Sequence, residues 1–137
     1  MILVDANVLM YAAGAAHSNK APSVELVHRI AAGTVDAVVD TETLQEILHR
    51  YRAINRWEDG RQLYSLTRAL FPRAVPITEA TLDRARDLME RHAALSARDA
   101  VHAAVSIEIR ASSICSYDRD FDMIPEIRRV EPGREGR

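Results

Sequence analysis

The sequence predicts a single α/β domain, with a mostly parallel central sheet of about four or five strands flanked by helices. Three observations carry that expectation. The chain has 137 residues, the length of one domain with a core of its own. Its composition, 47% hydrophobic and 28% charged, is that of a folded globular protein. Short apolar runs alternate along it with segments of helical periodicity, and parallel strands need such helical crossovers.

Each element follows from local pattern. Ile2-Leu3-Val4 is a short apolar run closed by Asp5, which reads as a buried strand. Residues 22–32 read as a helix, with Pro22 tolerated in its first turn and Gly33 just past its end. Residues 35–39 form a second strand that runs into Asp40-Thr41. A helix over 42–56 places Leu44, Ile47, Leu48 and Tyr51 on one apolar face. Glu42 and Glu46 fall opposite that stripe, where a solvated face is the default and a water-filled cleft is the alternative. The next helix runs from Trp57 to Leu70 and stops before Pro72. A brief strand is expected at 74–77. Thr78 starts a helix carrying Leu82, Ala85, Leu88 and Met89, and Ser96 starts another that continues through Arg110. Strands at 113–116 and 127–130 complete the sheet. The domain is expected to span 1–131, with 132–137 a frayed tail of Pro, Gly and charge.

Several function classes drop out. The five glycines, at 14, 33, 60, 133 and 136, form neither a dinucleotide fingerprint nor a P-loop. No apolar run is long enough to span a bilayer. The opening residues lack a basic n-region, and the single Cys115 forms no internal disulfide, so a cytoplasmic protein is expected. Cys115, inside an apolar strand, reads as inert. A phosphotransfer or receiver domain also places an Asp at the end of its first strand. It needs a late lysine, however, and the only lysine is Lys20.

The functional crevice of a parallel sheet lies beyond the carboxyl ends of its strands. Asp5 closes the first strand there, and Asp118 follows the 113–116 strand. Asp99 lies in the first turn of the helix leading into that strand, and Glu46 lies in the helix after the second. Each has a plain structural reading: a cap for Asp5, a capping box with Ser96 for Asp99, a turn for Asp118, a solvated face for Glu46. Asp99 is the exception in its surroundings. Its helix continues Ala100-Val101-His102-Ala103-Ala104-Val105, apolar around most of its circumference. Carboxylates gathered at the rim of a dry core need a cation or a proton to coexist, and open oxygen ligands suit Mg²⁺ or Mn²⁺.

These segments together resemble the PIN domain, in particular its VapC-type toxin nucleases. Ile2-Leu3-Val4-Asp5-Ala6-Asn7 is similar to the family's first motif, an Asp followed two residues later by Asn, Ser or Thr. The family's early-helix acid falls on Glu46, within Leu44-Gln45-Glu46-Ile47-Leu48. Leu95-Ser96-Ala97-Arg98-Asp99-Ala100-Val101-His102 is the closest match and supplies the third acid. Ser116-Tyr117-Asp118-Arg119-Asp120 resembles the last motif, with Ser116 for the commoner Thr and with Asp118 favoured over Asp120 as the fourth acid.

The resemblance implies a Mg²⁺- or Mn²⁺-dependent endoribonuclease that leaves 5′-phosphate and 3′-hydroxyl ends. It implies that Asp5, Glu46, Asp99 and Asp118 hold one or two ions and carry catalysis, with Asn7 and Ser116 orienting them. It also implies an RNA substrate, a VapB-like antitoxin as partner and a homodimer. Two alternatives stay open: a catalytically silent PIN-like module binding RNA or protein, and a PIN nuclease of RNA processing that is not a toxin. Setting aside the four acids turns the formal charge from −2 to +2, which favours RNA approach. Arg98 and Arg50 are candidate phosphate contacts. The wider arginine set from Arg50 to Arg73 reads first as a solvated helix pair or a dimer face. His102, one turn after Asp99, reads as a hydrogen-bonded core histidine.

Overall fold

The computed structural model describes residues 1–135. Four strands form one fully parallel sheet: β1 (Ile2–Val4), β2 (Ala37–Val38), β3 (Ser113–Cys115) and β4 (Arg129–Val130), in the order β2-β1-β3-β4. Six helices accompany them: α1 (Ala6–Ala13), α2 (Lys20–Ala31), α3 (Thr41–Ala53), α4 (Trp57–Leu70), α5 (Glu79–Arg91) and α6 (Ala97–Glu108). A 3₁₀ helix, Arg119–Met123, follows β3.

The side-chain alternation of a strand divides the interior into two cores. Ile2, Val4 and Cys115 pack with Val8, Leu26, Ile47 and Leu63, from α1 to α4. Leu3 and Ile114 pack on the other side with Leu88 of α5 and the Ala100–Val105 run of α6. Residues 99–106 are all buried, which is why α6 reads as apolar nearly all round. Gly33 ends α2 at φ +76°, a conformation that a side chain disfavours. Gly60 lets α4 close onto α3, since a Cβ there would lie 2.4 Å from that of Tyr51.

Three expectations change. Residues 6–13, given no element in the sequence reading, form α1. It starts directly at the end of β1, so there is no turn signal between strand and helix. The expected strand at 74–77 is a single parallel bridge, Asp40 to Val75. On α3 the buried positions are Thr43, Glu46 and Ile47, with Leu44 and Leu48 only half-buried. The helix is therefore rotated relative to its apolar stripe, and the solvated reading of Glu46 is wrong. Of the tail, Pro132 is buried and Glu135 pairs with Arg29, while residues 136 and 137 lie outside the described residues.

The sheet order reverses direction between β1 and β3, since β1 leads out to β2 and β3 to β4. Above that point no crossover covers the strand ends, and a crevice opens.

Candidate metal centre

Asp5 sits at the head of β1, 6% exposed, in an extended backbone that starts α1. The capping reading fails, because its side chain makes no cap bond. Its Oδ2 instead accepts from Ser116 Oγ at 2.6 Å and from Asn7 Nδ2 at 3.1 Å. Ser116, fully buried after β3, also accepts from Asn7 Nδ2 and from the Asp118 N–H, each at 3.0 Å. One hydroxyl thereby ties the β1 acid to the loop bearing Asp118. Asn7 and Ser116, expected as orienting residues, both contact the Asp5 carboxylate.

Ser96 caps α6 by accepting from the Asp99 N–H at 3.2 Å. The expected reciprocal box does not form: only the Ser96 half is present, and the Asp99 carboxyl lies beside Asp118 instead. The full capping box is at Thr78 and Thr81 on α5. Asp118 is also a turn residue, its Oδ1 accepting from the Asp120 N–H at 2.9 Å. Asp99, Asp118 and Asp120 bring ligand atoms within 4.8 Å of one another. Of the two candidates for the fourth acid, Asp118 is half-buried and Asp120 exposed.

Glu46, 8% exposed, forms a second trio with Asp5 and His102, again within 4.8 Å. His102 Nε2 lies 2.8 Å from Glu46 Oε1 and 3.8 Å from Asp5 Oδ1, and its Nδ1 lies 2.6 Å from Asp40 Oδ2. Arg98 Nε approaches Glu46 Oε1 to 3.7 Å. Arg50 is exposed and does not line the cleft.

The electrostatics follow from crowding. Burial pushes the Asp5 carboxyl above its ordinary value, with Glu46 adding to the push; His102 and the Ser116 bond oppose it. Burial first, then Asp118 and Asp5, push Asp99 up to about 7. Glu42, half-buried on the cleft wall, is raised by burial and by Glu46. Burial disfavours a charged His102, yet its bonds to Asp40 and Glu46 outweigh burial and hold it well above its ordinary value. The open side of this array is a cleft of about 700 Å³, whose wall includes Glu42, Arg98, Asp99, Asp118 and Asp120.

The donor set fits a hard divalent cation. Both His102 nitrogens are engaged by carboxylates, so the donors that remain are oxygens. A cation would offset the mutual repulsion and burial that raise these acids. Asp40 escaped the sequence reading as part of this centre. Glu42 carried a signal in sharing a helix face with Glu46, and His102, read as a hydrogen-bonded core histidine, in lying one turn after Asp99 on a buried helix.

Residues 2–127 match the family model described as PIN domain. The chain is 39% identical over 130 residues to Ribonuclease VapC13 of Mycobacterium tuberculosis, covering 95% of this chain and 99% of that protein. Its fold is similar to that of the Mycobacterium tuberculosis VapC20, described as a sarcin-ricin loop cleaving toxin. The TM-score is 0.75 at 15% identity, over 91% of this chain and 95% of that one. It is also similar to a chain of a toxin-antitoxin complex from Klebsiella pneumoniae, with a TM-score of 0.67 at 17% identity, over 98% and 99% of the two chains.

Proposed function

This chain belongs to the PIN-domain family, and from that premise we propose that Asp5, Glu46, Asp99 and Asp118 are its metal ligands and catalytic residues, acting on RNA. The protein is a VapC-type toxin endoribonuclease, and PIN nucleases use divalent metal. The observation that carries the residue assignment is convergence. Four carboxylates from four distant segments fall into two trios: Asp5 and Glu46 with His102, and Asp99 and Asp118 with Asp120 on the cleft wall, with Asp5 near enough to Asp99 to push its carboxyl up.

Mg²⁺ or Mn²⁺ is the cation that this oxygen set fits. When bound, it supplies Lewis-acid polarisation of a phosphodiester and an acidified water for hydrolysis. The chain's own residues do the rest. Ser116 and Asn7 fix one oxygen of Asp5, Oδ2. The Asp118 turn holds its carboxyl beside Asp99. Arg98, exposed on the cleft wall, is placed to meet a backbone phosphate with its planar donor fork. The wider arginine set is partly neutralised, with Arg56 on Asp59, Arg61 on Glu58, and Arg52 stacked 4.4 Å over Trp57.

The partner is a VapB-like antitoxin, in keeping with the similarity to a chain of a toxin-antitoxin complex. An apolar trough of about 590 Å³ between α1, α2 and α4 suits its hydrophobic segment. Leu9, Val27, Ile30, Leu63 and Leu70 line it, and Leu66 at its rim is 65% exposed. A homodimer, implied by the family resemblance, completes the proposal. A silent binding module is the weaker reading, because all four acids are present, two in each of the two clusters.

The test is cleavage of RNA by purified protein with Mg²⁺ or Mn²⁺, beside an EDTA control and Asp99→Ala. Cutting that disappears with EDTA and in Asp99→Ala is expected. A folded protein that neither cuts RNA nor binds Mn²⁺ would overturn the assignment.

A further inference from the structure

Asp40 and His102 stand outside the four-acid set, yet they are among its most deeply buried neighbours, at 0% and 1% exposure. Asp40 is the N-cap of α3. Its Oδ1 accepts from the Thr43 N–H at 2.9 Å and its Oδ2 from His102 Nδ1 at 2.6 Å. Both oxygens of that carboxylate are therefore fixed acceptors. Across the imidazole ring, Nε2 is hydrogen-bonded to Glu46 Oε1 at 2.8 Å. The result is a closed brace: the start of α3, the middle of α6, and then the second turn of α3 again.

Two features separate this brace from ordinary core satisfaction. The ring presents both nitrogens to carboxylates, so both are already occupied by partners within the protein. Glu46, by contrast, is bonded through Oε1 only, and its Oε2 accepts no hydrogen bond among the described residues. A glutamate has three side-chain torsions to lose when it binds a cation, and ordering them in advance lowers that cost.

We propose that Asp40 and His102 are positioning residues: Asp40 fixes the orientation of the imidazole, and His102 fixes the Glu46 carboxylate so that a divalent cation meets a ligand already in place. This inference rests on the assignment of Glu46 as a ligand. Partners of this kind behind a ligating group are worth about 10–100-fold in metal affinity.

The experiment reads Mn²⁺ affinity by calorimetry, with unfolding midpoints alongside, for the parent, Glu46→Ala, His102→Asn and His102→Gln. The Asn amide reaches where Nδ1 sits and keeps only the Asp40 contact. The Gln amide reaches where Nε2 sits and keeps only the Glu46 contact. His102→Asn is expected to weaken Mn²⁺ binding about 10–100-fold, and His102→Gln is expected to restore most of it. A role in core satisfaction alone would lower both midpoints and leave the two affinities alike, which overturns the proposal. Affinity in His102→Asn equal to or tighter than the parent, with Glu46→Ala weakened, also overturns it while leaving the ligand assignment intact. No change in Glu46→Ala overturns the ligand assignment, and the positioning role with it. Should His102→Asn not fold, Asp40→Asn decides, since it keeps the Thr43 cap and loses the carboxylate behind the ring. Weaker Mn²⁺ binding in a folded Asp40→Asn protein is expected; affinity equal to the parent's would overturn the proposal.

Discussion

Replacing Asp99 by Asn should make the metal-free protein more stable while destroying its metal binding. Asn keeps the shape of the side chain and can donate to Asp118, but it carries no charge to bury. Asp99 is pushed from 3.8 up to about 7 by burial, then by Asp118 and Asp5. Between those two values the folded chain retains a proton that the unfolded chain gives up. Stability from this group therefore falls as pH rises from about 4 to about 7, and is level above that. Felt in full, a shift of about three units is worth roughly 4 kcal/mol. Asp99 borders an open cleft, so solvent screening leaves about 1–2 kcal/mol. Against it stands a loss of about 0.3–1 kcal/mol, because Asp99 lies in the first turn of α6, where negative charge is favoured. The net gain at pH 8 is about 1 kcal/mol, or about 3 °C in melting temperature for a domain of this size. Melting of parent and Asp99→Asn with EDTA at pH 8 and pH 4.5 measures it. The gain should shrink toward zero at the lower pH. Added Mn²⁺ should raise the parent's midpoint and leave the variant's unchanged. An Asp99→Asn protein no more stable than its parent at pH 8, or a gain independent of pH, would refute the reasoning.

Ser116→Ala removes a hydroxyl shared by Asp5, Asn7 and the Asp118 N–H, and should cost about 2–3 kcal/mol in denaturant unfolding with weaker Mn²⁺ binding. A loss under about 0.5 kcal/mol would mean that water replaces the hydroxyl without penalty. Gly60→Ala, a change that ordinarily favours a helix by about 1 kcal/mol, should here destabilise by about 1–2 kcal/mol, because the new methyl meets Tyr51. Unfolding midpoints give the sign directly. Burial pushes the Cys115 thiol up to about 12, so it should resist an aromatic disulfide reagent at pH 8 in the native protein and react at once in guanidinium.

The sequence by itself determined the class of fold and most of the acid set. Strand-ending Asp5, the buried run after Asp99 and the acid after β3 are local signals. In a parallel sheet the ends of neighbouring strands must share an edge, so their meeting follows from topology alone. The capping chemistry that starts α6 at Ser96 was legible for the same reason, since it involves residues three apart. The rotation of α3 was not legible. Its apolar stripe predicts that Leu44 and Leu48 face inward, yet α3 packs against α4, α1 and α6 so that Thr43, Glu46 and Ile47 are its buried positions. Periodicity fixes which residues share a face; which neighbour takes the face depends on elements far away in the chain. The same holds for Asp40 and His102, 62 residues apart and joined at 2.6 Å. A buried carboxylate and a buried imidazole each need a partner, but only the docking of α6 against the start of α3 decides that they find each other, and that Glu46 is held on the ring's far side.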